Sequence, residues 1–156
     1  MANFTLSGYL ASIIAVVFSG TQTLNSLTDN EFTDLGDEID NSTDKYVWAD
    51  LELVLGSAAF TGADSGIEIY IVPTVDGTNY PTWSGNSTAN APENNQYFAC
   101  FVPLKAATQA QRVTTPVDCP VALPNGKFKF AARSRANVTL AGSGNTLSYR
   151  PHSLAV

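Results

Sequence analysis

Nucleophilic hydrolysis needs a Ser or Cys beside a base that a third group orients. The chain offers a single imidazole, His152, two residues beyond the last expected strand and close to the end of the sequence. There it reads as a terminal or capping histidine. Ser65, in Asp64-Ser65-Gly66, lacks the Gly-x-Ser-x-Gly elbow that exposes a nucleophile. Cys100 lies between Ala99 and Phe101 and reads as a small buried hydrophobe. Cys119, between Asp118 and Pro120, has no positive neighbour to lower its pKa. No catalytic residue is expected, and the chain is not expected to be an enzyme.

Carboxylates are the next candidates. Asp50 and Glu52 share one face of a strand about 7 Å apart, a separation a paired-carboxylate glycosidase would allow. Alternating acids on a half-wet strand are more often solvated surface. Asp37, Glu38, Asp40, Asn41 and Asp44 offer five hard oxygen donors within eight residues, a candidate calcium set without the spacing or turn glycine of an EF-hand. An electrostatic interface with a basic partner fits the same residues better, and neither a metal nor another cofactor is expected. Tyr80 and Trp83 lie in a long polar loop. They would stack on a sugar, anchor a protein contact, or cover one end of the domain. Trp48, within a strand, is expected in the core.

The elements that must position these residues are strands. Gly and Pro punctuate the chain, and the runs between them are short, β-branched or aromatic, and often alternating. Expected strands cover Lys45–Leu55, Ile67–Pro73, Tyr97–Val102, Arg112–Thr115, Lys127–Arg133, Val138–Ala141 and Thr146–Arg150, with one or two more within Thr5–Phe18. Only Lys105–Gln111 suggests a helical turn. Strands without intervening helices imply an antiparallel sandwich or barrel, and the long connections Val75–Gln96 and Leu104–Arg112 suit strands that cross between sheets. The expected fold is therefore all-β: an antiparallel β-sandwich of jelly-roll type, with about eight strands and an extended acidic N-terminal segment. A single domain is expected over 1–156, with the N-terminal strand and acidic segment in 1–44 and the main sandwich in 45–150.

Charge is sparse, 14% of residues, and uneven. Residues 1–78 hold twelve acids and one base, Lys45, whereas residues 79–156 hold two acids and seven bases. Seven of the acids fall within Asp29–Asp44, where Leu27, Phe32, Leu35 and Ile39 are spaced so that the segment would lie along the domain with its acids outward. The net charge of -6 argues against nucleic acid as a partner. Lys127, Lys129, Arg133, Arg135 and Arg150 sit on or beside late strands, and the two opposed segments would pair within a chain or, as the surplus of acids favours, across a subunit boundary. The apolar run Tyr9–Phe18 is too short to span a membrane, and no Lys or Arg precedes it, so neither a membrane segment nor a secretory signal is expected. Cytoplasmic synthesis follows as an expectation. It would keep Cys100 and Cys119 reduced, although a bridge between them stays open. The Asn-x-Ser/Thr sites at Asn3, Asn41, Asn86 and Asn137 then read as by-products of a Thr-, Ser- and Asn-rich surface.

Several stretches resemble small virion proteins of tailed bacteriophages. They are Leu27–Leu35, Ile39–Thr43, Trp48–Leu53, Val72–Pro81 and Leu123–Lys129, and the likeness spans roughly residues 25–150. The resemblance is to capsid cement (decoration) proteins of short-tailed phages. It implies a jelly roll on the outer capsid surface, a homodimer or homotrimer, and clamping of neighbouring major capsid protein subunits around the DNA-filled head. The family brings no catalytic residues. The implied location is the virion after synthesis in the host cytoplasm, with no nucleic-acid or membrane contact. Interface candidates are Asp34, Asp37, Asp40, Tyr80, Trp83, Arg133 and Arg135. The competing expectation is a carbohydrate- or receptor-binding β-sandwich module of a head fibre or tail, using Tyr80 and Trp83.

Overall fold

A computed structural model describes residues 11–62, 64–83, 95–115 and 120–153. Alternation of buried leucines with Asp50, Glu52 and Val54 makes Trp48–Leu55 a strand with one inward face. The same two-residue period builds Lys127–Arg135 and Thr146–His152. In chain order the strands are β1 (Ile14–Val16), β2 (Ile39–Asp40), β3 (Trp48–Leu55), β4 (Gly66–Pro73), β5 (Phe98–Pro103), β6 (Gln111–Thr114), β7 (Val121–Ala122), β8 (Lys127–Arg135) and β9 (Thr146–His152). A 3-10 turn at Asn95–Tyr97 leads into β5, and no α-helix occurs among the described residues.

Two antiparallel sheets form. The five-stranded sheet runs β1-β9-β3-β6, with β7 also paired to β3; the four-stranded sheet runs β2-β8-β4-β5. β6 and β7 border the same edge of β3, one at Glu52–Leu55 and the other at Trp48–Ala49. Between them Thr115 prolongs the ladder with its side chain: its N–H donates to Leu51 O at 3.0 Å, and Leu51 N–H donates to its hydroxyl at 3.0 Å.

The inward side chains meet in one core. Leu51, Leu53, Leu55 and Leu147 come from the first sheet, and Ile67, Ile69, Phe128 and Phe130 from the second. Phe128, Phe130 and Tyr149 form an aromatic ladder, with centroids 5.5 and 5.4 Å apart. A smaller cluster of Phe32, Tyr70 and Ala131 lies on the outer face of the four-stranded sheet, with Leu35, Trp83 and Tyr97 packed on it. β4 is consequently buried on both faces over most of its length.

One buried asparagine ties each end of the sandwich. Asn41 donates to Tyr46 O and Pro124 O and accepts from Tyr46 N–H, joining the starts of β3 and β8 to the end of β2. Asn145 accepts from Gly56 N–H at 2.9 Å and donates to Leu24 O and Ala141 O at the opposite end.

Several expectations are corrected. Val138–Ala141 is not a strand but a crossing segment, held where Leu140 N–H donates to Leu27 O and Ser26 N–H to Ala141 O. Lys105–Gln111 is not helical. The Gln111 side chain bonds both the N–H and the C=O of Lys105 and closes a loop. β3 starts at Trp48, which is 36% exposed and not in the core. β9 continues through His152, so the histidine belongs to a strand.

Candidate interaction surface

The outer face of the four-stranded sheet brings together part of the expected set. Period-two alternation turns Lys127, Lys129, Arg133 and Arg135 outward from β8, while Phe128, Phe130 and Ser134 face in. Beside them runs the acidic segment. Asn30 N–H donates to Ser134 O, Thr33 N–H to Ala132 O and Gly36 N–H to Phe130 O, each at 2.8 Å. From the other side the 74–83 loop arrives through a tight turn. Asp76 accepts four hydrogen bonds there, from Thr74, Thr78 and Asn79, and Gly77 takes φ +77°, which a Cβ would strain.

Trp83 is thereby laid on the sheet. Its indole N–H donates to Thr33 O at 2.9 Å, and its ring meets Phe32 and Tyr70 edge-on at 5.5 and 5.7 Å. Tyr80 donates its hydroxyl to Glu38 at 3.0 Å, and the Lys129 ammonium stands 4.7 Å from its ring centre. The Arg133 guanidinium lies over Phe32 at 5.1 Å, 3.5 Å from a Glu68 oxygen. Arg135 donates to Asn30 Oδ1 at 3.1 Å.

The three expected aspartates divide. Asp34 is half-buried and holds the 20–22 turn: its carboxylate accepts from Gln22 N–H, and its own N–H donates to Gln22 O. Asp37 and Asp40 stand apart at the β1–β2 side, where they accept from Ser19 and from Ser42 N–H respectively. The two opposed charge segments are neighbours within one chain: Glu38 and Lys127 pair at 2.8 Å. The Lys127 bond holds the Glu38 carboxyl below its usual pKa.

Ser65 is buried, its hydroxyl donating to Thr61 O at 2.7 Å. Asp50 lies 3.7 Å from His152 Nε2 and Glu52 pairs with Arg112 at 2.6 Å, and both carboxylates line one hollow of about 230 Å³ with Thr114, Thr115 and Arg150. Among the described residues no three His, Cys, Asp or Glu side chains come together as a metal set. Asn41, counted in the calcium set, spends its amide on backbone groups. Cys119 lies outside the described residues, and with it the bridge to Cys100.

Sequence reasoning missed two exposed aromatics. Phe98 and Phe101 are 48% and 40% exposed on β5, the edge of the four-stranded sheet. A bulge opposite Ile69/Tyr70 pairs Tyr70 with Phe98 and Glu68 with Phe101, so both rings face outward.

Three tyrosines carry a pH consequence. Burial, then the Glu68 bond, holds the Tyr70 hydroxyl far above its usual pKa. Burial raises Tyr149 as well, and partial burial with the Glu38 bond raises Tyr80. Above about pH 10 the unfolded chain releases these protons while the folded chain keeps them. Stability should therefore fall with rising pH, by up to about 1.4 kcal/mol per unit for each fully buried tyrosine. Tyrosinate absorbance followed beside circular dichroism tests this. Tyr70 and Tyr149 should ionise only as the fold is lost; six tyrosines titrating normally in a folded protein would contradict it.

No protein-family model, curated protein or solved structure gives a significant match to the chain.

Proposed function

We propose that the chain is a non-enzymatic structural protein of a tailed-phage particle, a jelly roll that binds the outer capsid surface and clamps neighbouring major capsid subunits. The strand pairing supports the jelly-roll reading. With β6 and β7 taken as one interrupted strand, pairs nest outward from a single hairpin: β4 with β5, β3 with β6 and β7, β2 with β8, β1 with β9. Successive pairs fall in alternate sheets, as when one long hairpin is rolled over on itself. Such double-sheet rolls serve in viral capsids and lectins, so fold alone does not choose between the two expected roles.

One observation carries the choice. Tyr80 and Trp83, the rings expected to hold a sugar, are engaged with the chain itself, whereas Phe98 and Phe101 stand exposed on a sheet edge. Trp83 and Tyr80 have donated their N–H and O–H internally. Phe98 and Phe101 offer apolar area without a polar handle, which suits a protein partner. Repeated over a capsid, an interface of ~1,600 Å² per copy would add cohesion across subunit boundaries. A homodimer or homotrimer would let one molecule grip several subunits. The location is the virion, with no direct role for nucleic acid or membrane.

Purified heads should hold the protein in fixed ratio to the major capsid protein, and heads lacking it should lose DNA on heating. Normal heat resistance of such heads would sink the reading. Replacing Phe98 and Phe101 together by Glu should weaken binding to bare heads about a hundredfold, the effect of two anchors worth over ~1 kcal/mol each. The melting temperature should hardly change.

A further inference from the structure

We infer that the cleft between β1 and β2 docks an extended, basic segment of another protein, which adds alongside β1 and inserts an apolar side chain between the sheets. The inference goes beyond the capsid reading and does not depend on it. β1 ends the five-stranded sheet and β2 ends the four-stranded one, so the sandwich opens between them. β2 is only two residues long and covers little. Two adjoining hollows of about 330 and 110 Å³ lie there, both lined by Ile14, Ile39, Asp40 and Tyr149. Val16 and Phe128 extend the floor, and Ile14 is 40% exposed on the wall. At one end the Asp37 N–H donates to Val17 O at 2.8 Å and closes the cleft.

Two features identify the occupant. Tyr149 is 4% exposed, yet its hydroxyl has no hydrogen-bond partner among the described residues. Tyr149 lines both hollows, and a peptide carbonyl entering the cleft would accept a hydrogen bond from its hydroxyl. The rim is acidic. Asp37, Asp40 and Asp44 are exposed there without an ion pair among the described residues, and Glu38 alone is matched, by Lys127. Lys45, next to Asp44, is the nearest other base in sequence and leaves the rim negative. Along its free edge β1 pairs with no other strand among the described residues, its partner β9 being on the opposite side. An added strand would use those backbone groups and alternate its side chains between cleft and rim. Apolar and cationic residues in alternation fit both.

The test uses the full chain, isotope-labelled, titrated with the capped hexapeptide Lys-Val-Lys-Val-Lys-Val and, separately, with Glu-Val-Glu-Val-Glu-Val. The basic peptide should shift the amides of residues 14–17 and 37–44, and added salt should weaken it. Asp40→Asn with Asp44→Asn should reduce affinity about fivefold. The fold should be unchanged, since the amide oxygen introduced at position 40 can still accept from Ser42 N–H. Tyr149→Phe should weaken binding with the melting temperature kept or raised. Equal binding of the acidic peptide, shifts elsewhere on the sandwich, or no shifts at millimolar peptide would overturn the proposal. Concentration-dependent shifts of the same amides without peptide would also overturn it, by making the cleft a contact between copies of this chain.

Discussion

Asn145→Asp should cost about 3–5 kcal/mol near neutral pH, a large share of the 5–15 kcal/mol that holds a typical domain together. Asn145 is 7% exposed, and its amide nitrogen donates to Leu24 O at 3.1 Å, Ala141 O at 2.6 Å and Asn25 Oδ1 at 3.2 Å. The aspartate has the same shape but turns a charged oxygen towards three oxygens. Of the side chain's bonds only the one from Gly56 N–H survives. The new carboxyl would have a pKa raised by burial and by those oxygens. Between the unfolded value near 4 and that raised value, the folded chain holds a proton that the unfolded chain has lost, so stability falls as pH rises through the window. The variant should therefore recover part of its stability in mild acid, where the protonated carboxyl donates one bond again. Urea unfolding at both pH values tests this, with Asn41→Asp as the matching change at the other end of the sandwich. A loss below about 1 kcal/mol that ignores pH would show that Asn145 does not tie these loops.

The long strands were legible because burial enforces their period. Leu51, Leu53 and Leu55 must face one way, and that parity also sends Trp48 outward with Asp50 and Glu52. Its expected burial followed residue type where parity should have ruled. β2 and β7 were not legible. Two residues carry no periodicity, and these exist only because β8 and β3 offer free edges. Val138–Ala141 has strand composition, but its backbone partners are the irregular residues 26–27. The exposed pair on β5 was hidden for a sharper reason. Phe98 and Phe101 are three residues apart, which in a regular strand puts them on opposite faces. Only the bulge around Ala99 brings them to one face, and a bulge has no signature in this run. For charge, the contrast between Asp29–Asp44 and β8 was plain, but composition does not say whether opposed segments meet within a chain. Register decided it, with Ile39 opposite Phe128 and Asp40 opposite Lys127.

Trp83→Ala separates the two functional readings, because each assigns the ring a different load. In a carbohydrate module the ring face is free for the sugar, and removing it abolishes binding at little cost to the fold. Here the ring is packed edge-on against Phe32 and Tyr70, and its N–H satisfies Thr33 O. Thr33 is itself buried, and its hydroxyl accepts from Ala132 N–H on β8. Losing the indole leaves Thr33 O short of a donor and uncovers the buried Phe32 and Tyr70 rings. The expected loss is about 2–4 kcal/mol, from lost packing on a half-buried site plus one unsatisfied carbonyl. Trp83→Phe should restore most of the packing but not the bond, and so recover roughly half. The protein's binding to host polysaccharide, followed by tryptophan fluorescence, should be absent in the parent chain as well as in both variants. Saturable polysaccharide binding by the parent, lost in Trp83→Ala while the melting temperature holds, would overturn the structural role and restore the carbohydrate reading.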